Sequence, residues 1–247
     1  MEPRLISIGK AAKMLGLSIK TLQRWDKSGK FPSIRRPGGH RYYNPKDVKS
    51  HLASLEVAGQ DLFVAANFWA SRSNPSEPDP LFYCQTSPIF LAKLTKLQNR
   101  LAEASELKNI FPLIIAIAGE IGDNSFAHNI GNWPDIPGIF FGYDVDKKEI
   151  VLADRGRGIL ETLRRVRPDL KSNADALRVA FTEIVSGRAP EERGNGLKFV
   201  RKIITNNEMS LYFKTGDAEI KIGKGDADLK IMKSSIYIRG CIALIKF

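Results

Sequence analysis

Three short segments of this chain carry residue types whose spacing could do chemistry. Glu120 and Asn124 stand four apart in an apolar stretch that reads as a helix, so the carboxylate and the amide share one face. A carboxylate so placed can act as a general base, and an amide oxygen beside it can hold a metal. Further on, Asp154-Arg155-Gly156-Arg157-Gly158 forms a D-x-G-x-G run. An aspartate there can accept an exocyclic amino group while the glycines leave the backbone bare for close approach. Later still, Gly194-Asn195-Gly196 precedes an amphipathic stretch, and a helix opening there offers unpaired N–H groups to phosphates. Each piece has a plainer reading, as a helix-surface pair or as a glycine turn. Their order and spacing point to one nucleotide pocket built from three segments. The P-loop pattern is absent, which disfavours a Walker-type ATPase.

Taken together, the three segments resemble the GHKL ATPase superfamily of gyrase, heat-shock chaperones, histidine kinases and anti-sigma serine kinases. Glu120 and Asn124 match its N box. Asp154, Gly156 and Gly158, with Ile159 following, match its first glycine box, and Arg193, Gly194, Asn195, Gly196 and Leu197 its second. The resemblance implies ATP and Mg2+ as cofactors, Asn124 as the metal ligand, Asp154 as the adenine acceptor and Glu120 as the base of hydrolytic members. The residues between the glycine boxes would be an ATP lid, with Ser186-Gly187-Arg188 and Glu191-Glu192-Arg193 as its phosphate contacts. Two departures stand out. Family members often carry Gly-Thr on the last strand, whereas this chain has Gly240-Cys241, which weakens adenine selectivity. The helix expected over Ile89 to Leu107 contains no histidine, so histidine autophosphorylation is not expected.

The charge is unevenly placed. Residues 1–55 carry 12 Lys plus Arg against 3 acids, a net of +9, while the rest of the chain carries 26 against 24, a net of +2. A surplus concentrated in this way is an electrostatic footprint for a polyanion. The same region has the punctuation of a helix-turn-helix: Ser7 before Ile8 to Leu15, then Gly16-Leu17-Ser18, then Ile19 to about Ser28. Leu15, Leu17, Leu22 and Trp25 would fill its core. Arg35-Arg36-Pro37-Gly38-Gly39-His40-Arg41-Tyr42-Tyr43 follows as a glycine turn flanked by bases and aromatics, the form of a β-wing. Residues 5–52 resemble the winged helix-turn-helix of MerR-type regulators and of excisionases. That resemblance implies double-stranded DNA as partner, with Lys20, Thr21, Gln23 and Arg24 reaching it from the second helix. Arg36, His40 and Arg41 would hold phosphate or minor groove from the wing.

The remaining elements must position these residues. Asp61 to Ala70 reads as a helix packing on a neighbour, and the proline-rich Ser71 to Pro80 as an extended linker. In Ile89 to Leu107 the apolar positions Phe90, Leu94, Leu97, Leu101 and Ala104 fit a core-facing helix better than a coiled coil. Helices are expected over Phe111 to Ile130, Leu160 to Arg165, Ala174 to Val185 and Leu197 to Asn206. Strands are expected at Gly138 to Asp144 and Glu149 to Ala153, then at Met209 to Phe213, Ala218 to Ile222, Leu229 to Met232, Ser235 to Arg239 and Ile242 to Phe247. The fold class is α+β, a small winged helix-turn-helix domain followed by a Bergerat-type α/β sandwich. The domains expected are 1–55 for the head, 56–84 for a connecting helix and linker, and 85–247 for the ATP-binding domain.

At 43% hydrophobic and 26% charged residues, the composition is that of an ordinary globular protein. The most apolar run, Ile110 to Gly119, is too short to span a membrane, and Cys84 and Cys241 lack metal-binding spacing. A reducing, cytoplasmic setting without membrane contact is expected. The function expected is a DNA-binding regulator whose nucleotide domain switches DNA or partner binding. The alternatives are an anti-sigma-like protein serine kinase or switch ATPase with a protein substrate, and a mobile-element or phage-associated DNA-binding factor. Homodimerisation would suit a palindromic operator.

Overall fold

The computed structural model describes residues 5–15, 19–29, 31–35, 38–48, 62–73, 75–183 and 196–247. The chain divides into two units, one of Met1–Gln60 with Asp79–Leu81 and one of Asp61–Pro78 with Phe82–Phe247. Leu17, Arg36, Ser186 to Arg188, Glu191 to Arg193, Gly194 and Asn195, named above, lie outside the described residues, as do the side chains of Leu15 and Thr21.

In the first unit, strand β1 (Ile6–Ser7) leads into helices α1 (Ile8–Leu15) and α2 (Ile19–Lys27), followed by β2 (Ile34–Arg35) and β3 (Arg41–Tyr43). The strands form an antiparallel sheet in the order β1-β3-β2. Gly38 and Gly39 turn the wing at φ 96° and 75°, where a β-carbon would be strained. Ala11 and Ala12 on α1 are buried together with Leu22, Trp25, Phe31, Tyr43 and Val48, so small residues on one helix admit the bulky ones of the next. Phe31 stacks on Tyr43 with ring centroids 5.3 Å apart. Trp25 and Tyr43 are therefore core residues.

The second unit is a five-stranded antiparallel sheet in the order β4-β5-β6-β8-β7, formed by β4 (Tyr83–Cys84), β5 (Ile139–Asp144), β6 (Glu149–Asp154), β7 (Ser210–Ile222) and β8 (Ile231–Lys246). Side-chain alternation assigns its two faces. Ile139, Phe141, Ile150, Leu152, Phe213 and Ile245 join a large core with α4 (Ser87–Glu103), α5 (Phe111–Asn129), α7 (Asn173–Thr182) and α8 (Gly196–Asn206). The short helix α6 (Gly158–Leu163) buries Leu163 beside Ala176 and Val179 of α7. Phe140, Val151, Ala153, Ile238 and Ile242 point the other way and are covered by Leu62, Ala66, Trp69 and Ala70 of α3 (Leu62–Ser71). The result is an α/β sandwich with one further helix on the outer face of the sheet.

Helix α4 buries Phe90, Leu94, Leu97 and Leu101, which makes it a core helix. Pro88 stands in its first turn, and a 3-10 turn at Ser105–Leu107 ends what the apolar spacing read as one longer helix. The five C-terminal strands expected from sequence are two long ones. Gly216 pairs with Ile238 and Ala218 with Lys233, so β8 bulges over Ser234 to Tyr237 without ending. Such a bulge bends a ladder while preserving it on either side, and in sequence the polar break looks like a strand end. The described part of the expected lid, to residue 183, is packed structure, since α6 and α7 lie within it. Described residues 75–79 follow α3 without regular structure, and the Trp69 indole N–H ties them down by donating to Ser76 O at 3.0 Å.

Gly122 lets α5 approach α4 closely, because an added β-carbon would overlap the buried Phe90 ring. Gly122→Ala should therefore destabilise the chain by about 1–3 kcal/mol through overpacking. Denaturant unfolding measures this, and an unchanged midpoint would contradict the packing described.

Candidate nucleotide site and basic winged face

The alternation that buries Ile150 and Leu152 on the helix side of β6 places Asp154 there as well, at the end of the strand and facing α5. The D-x-G-x-G run is thus a strand-to-helix turn, not a hairpin. Gly158 at φ 75° opens α6. Asp154 is buried, and three donors converge on its carboxylate. Gly156 N donates to Oδ1 at 2.8 Å, the Ser125 hydroxyl donates to Oδ2 at 2.8 Å, and the Cys241 N–H donates from β8. Burial pushes the Asp154 carboxyl up to about 6, from an ordinary 3.8, while these donors pull it back. An ionised carboxylate offers about four acceptor positions, so three donors do not exhaust its capacity.

Glu120, Asn124 and Ser125 lie in sequence on α5, and Asn124 Nδ2 is 3.4 Å from Glu120 Oε1. Gly196, the first residue of α8, lies against the Glu120 carboxylate, which an added β-carbon would overlap. Leu197 packs against the core behind it. The structure therefore brings Glu120, Asn124, Asp154, Gly156, Gly158, Ile159, Gly196 and Leu197 to one end of the sandwich. The close neighbours of the glycines are protein groups. Gly156 is packed by Asn129, Gly158 by the Thr215 hydroxyl, 3.0 Å from where a β-carbon would sit, and Gly240 by Asp154.

Three residues in this network escaped sequence reasoning. Ser125 orients Asp154. Asn129 is buried, donates to Ser125 O at 2.7 Å and accepts from Arg157 N at 2.9 Å, tying α5 to the turn. Thr215, fully buried on β7, donates to Gly240 O at 3.0 Å and accepts from Ile159 N at 3.2 Å. It stands directly opposite Cys241 in the ladder, so a hydroxyl is supplied from the neighbouring strand. The Cys241 thiol is pushed well above its usual range by burial and by the Asp154 charge. Ser125 and Asn129 could have been found as polar breaks in an apolar helix, whereas Thr215 needs the β7–β8 register.

Among the described residues no group of three His, Cys, Asp or Glu side chains could hold a metal ion. A cation here would rest on Asn124 together with ligands brought by a nucleotide.

In the first unit, Lys20 and Arg24 are exposed on α2, Gln23 is half-buried, and Lys27 continues the same exposed face. His40 is exposed beyond the wing turn. Asp26, at the end of α2, gathers the wing: it accepts from Ser33 N and Oγ at 2.8 Å each, from Arg35 at 2.9 Å and from Arg41 Nε at 2.6 Å. Burial opposes its charge, but the Ser33 N–H, Arg41, the Ser33 hydroxyl and Arg35 outweigh it and hold the carboxyl well below the usual carboxylate range. Arg41 thus has its Nε committed inside the protein, which fixes the wing to α2.

A winged helix-turn-helix followed by an α/β sandwich with a buried aspartate at a glycine turn is the class of architecture defined here. Residues 7–43 match the family model described as MerR family regulatory protein. No curated protein matches the chain. Among solved structures, the chain is similar to the 43K ATPase domain of Thermus thermophilus gyrase B, determined in complex with an aminocoumarin. That match has 16% identity and a TM-score of 0.33, and covers 65% of this chain. The chain spans 40% of the length of that structure. Among the described residues no helix is long and apolar enough to cross a membrane.

Because the folded chain holds the Asp154 proton more tightly than the unfolded chain does, this group favours folding most at low pH. That contribution is lost as pH rises from about 3.8 through about 6. Asp154→Asn removes it. The stability of the wild type relative to the variant should therefore rise on acidification across this window, by at most ~1.4 kcal/mol per pH unit. Parallel stability curves from denaturant melts would contradict the burial of an ionisable Asp154.

Proposed function

We propose that the protein is a DNA-binding regulator whose second unit holds Mg-ATP and uses its occupancy to alter DNA or partner binding. The observation that carries this reading is the Asp154 carboxylate, buried with three protein donors that do not exhaust its acceptor capacity, at a glycine turn packed on Ser125 and Asn129 of the helix that also carries Glu120 and Asn124. That spare capacity suits the exocyclic amino group of adenine. Asn124 would hold Mg2+ together with the phosphates, and Gly156, Gly158 and Gly196 keep the backbone free of β-carbons around the site, with Ile159 and Leu197 behind them. Arg193, Gly194 and Asn195, from the second glycine run, would complete the phosphate side. A bound nucleotide would supply a γ-phosphate, and Glu120 would be the group to take a proton from an attacking water. In the first unit, Lys20, Arg24 and Lys27 would meet DNA from α2 along with Thr21 and Gln23, and His40 and Arg36 from the wing, which Arg41 positions through Asp26. The concentrated charge and the family match over residues 7–43 support that half of the reading.

Asn124→Ala and Asp154→Ala should each weaken Mg-ATP binding roughly ten- to a hundredfold, the range expected for losing a charged or metal-linked contact. Glu120→Ala should keep ATP and lose most turnover, because a base acts on water and not on binding. Replacing Lys20 and Arg24 together by Ala should weaken DNA binding and lower the salt slope by about two. Calorimetry, phosphate release and salt-dependent DNA titration measure these. Full ATP affinity in folded Asp154→Ala and Asn124→Ala would end the nucleotide reading, and an unchanged salt slope would end the α2 assignment.

A further inference from the structure

Asp26 is an acid in the most basic part of the chain, and two considerations count against it there. It stands in the last turn of α2, where the helix dipole disfavours negative charge. It also belongs to residues 1–55, where 12 bases against 3 acids leave a net of +9, and a carboxylate within such a surplus lowers affinity for a polyanion. Its contacts give the reason for its presence, because one carboxylate reaches both arms of the wing. Oδ1 accepts from the Ser33 N–H and hydroxyl just before β2, and Oδ2 accepts from Arg35 in β2 and from Arg41 in β3.

Arg35 and Arg41 stand directly opposite each other in the β2–β3 ladder, so their like charges repel across the hairpin. The ladder is short, with β2 two residues long and β3 three, and a pair of strands of that size resists little by itself. Asp26 offsets the repulsion, at 2.9 Å from Arg35 Nη2 and 2.6 Å from Arg41 Nε. The two arginines are not equally spent. The Arg41 side chain is 18% exposed and anchors the wing, whereas that of Arg35 is 52% exposed, with Nη1 turned to Gly39 O at 3.4 Å. A planar guanidinium held along one edge presents the other in a fixed direction. The carboxylate thus sets where the wing stands relative to α2, whose exposed face carries Lys20, Arg24 and Lys27. A head that holds helix and wing at one spacing fits a duplex whose groove matches it and gains less from the rest, because groove shape is read as well as base edges.

We propose that Asp26 is a specificity-determining residue of the basic head, which acts through Arg35 and Arg41 to lower general affinity for duplex DNA and to raise discrimination between duplexes. This inference rests on the DNA-binding reading above, and it names what sets the selectivity of that binding.

The test compares two probes on the full chain over one salt series: a duplex enriched by the wild type from a random-sequence pool, and an unselected duplex of the same length. Folded Asp26→Asn, which removes the charge and keeps the size, should bind the unselected duplex at least as tightly as the wild type, with a salt slope steeper by about one. It should bind the enriched duplex more weakly, so that the ratio of the two affinities falls about tenfold or more, the scale of one lost base-pair contact. If both affinities rise by the same factor, Asp26 is a bystander acid, and if both fall by the same factor it is only structural. An unchanged ratio in either form overturns the proposal. Should Asp26→Asn not fold, Arg41→Gln decides, because it removes the anchor from the wing side. Its ratio should fall likewise, whereas equal weakening on the two duplexes makes Arg41 a phosphate contact alone and overturns the proposal. Wild type that binds the unselected duplex but enriches no sequence overturns the proposal and leaves the DNA-binding reading standing, and wild type that binds no duplex removes both.

Discussion

A carboxylate taken out of water at a strand end must be given donors or lose its charge, and the site end of the second unit is arranged around that requirement. Asp154 draws its donors from three elements: Ser125 from α5, Gly156 from its own turn and Cys241 from β8. To bring them within reach, α5 must lie close over β6, the turn must fold back on itself, and β8 must run beside β6. Each close approach depends on a missing β-carbon, at Gly156 against Asn129 and at Gly240 against Asp154. The glycines thus let the protein pack on itself around the acid.

Strand β6 separates two charged environments by one residue. Asp154 faces the helices and is left with acceptor capacity, while Arg155 faces the outer helix with its donors engaged by Trp69, Ala70 and Asp135. Period-2 alternation is enough to produce this division. The first unit uses the same economy, since Asp26 holds Arg35 and Arg41 and so fixes the wing against α2 by charge. In both units the internal carboxylates settle which basic groups remain available on the outside.

Much of this was legible in the residues. The helix carrying Glu120 and Asn124, the β5–β6 hairpin around Asp146 to Lys148, the core face of α4 and the winged head all follow from local periodicity and turn chemistry. What sequence misplaced were features settled by pairing at a distance. Thr215 reaches the glycine turn only because β7 pairs with β8 in a register that no local pattern reveals. Strands read from sequence end at Met232 and at Arg239, because Lys233-Ser234 and Gly240-Cys241 interrupt the apolar alternation, whereas β8 runs through both. Arg41 reads as a free base until Asp26 is seen beside it, and Arg155 is an unspecified position in the motif until α3 is found behind it.

The acceptor capacity left on Asp154 makes the account specific to the 6-amino group of the base, and one titration addresses it directly. Mg-ATP and Mg-ITP differ in that group: adenine presents an amino donor there, and hypoxanthine presents a carbonyl acceptor. Calorimetric titration of the full chain with each should give ATP an advantage of about ten- to a hundredfold, since an acceptor facing a buried carboxylate gains no bond and leaves the acid underserved. Equal affinity for the two nucleotides would contradict the role given to Asp154.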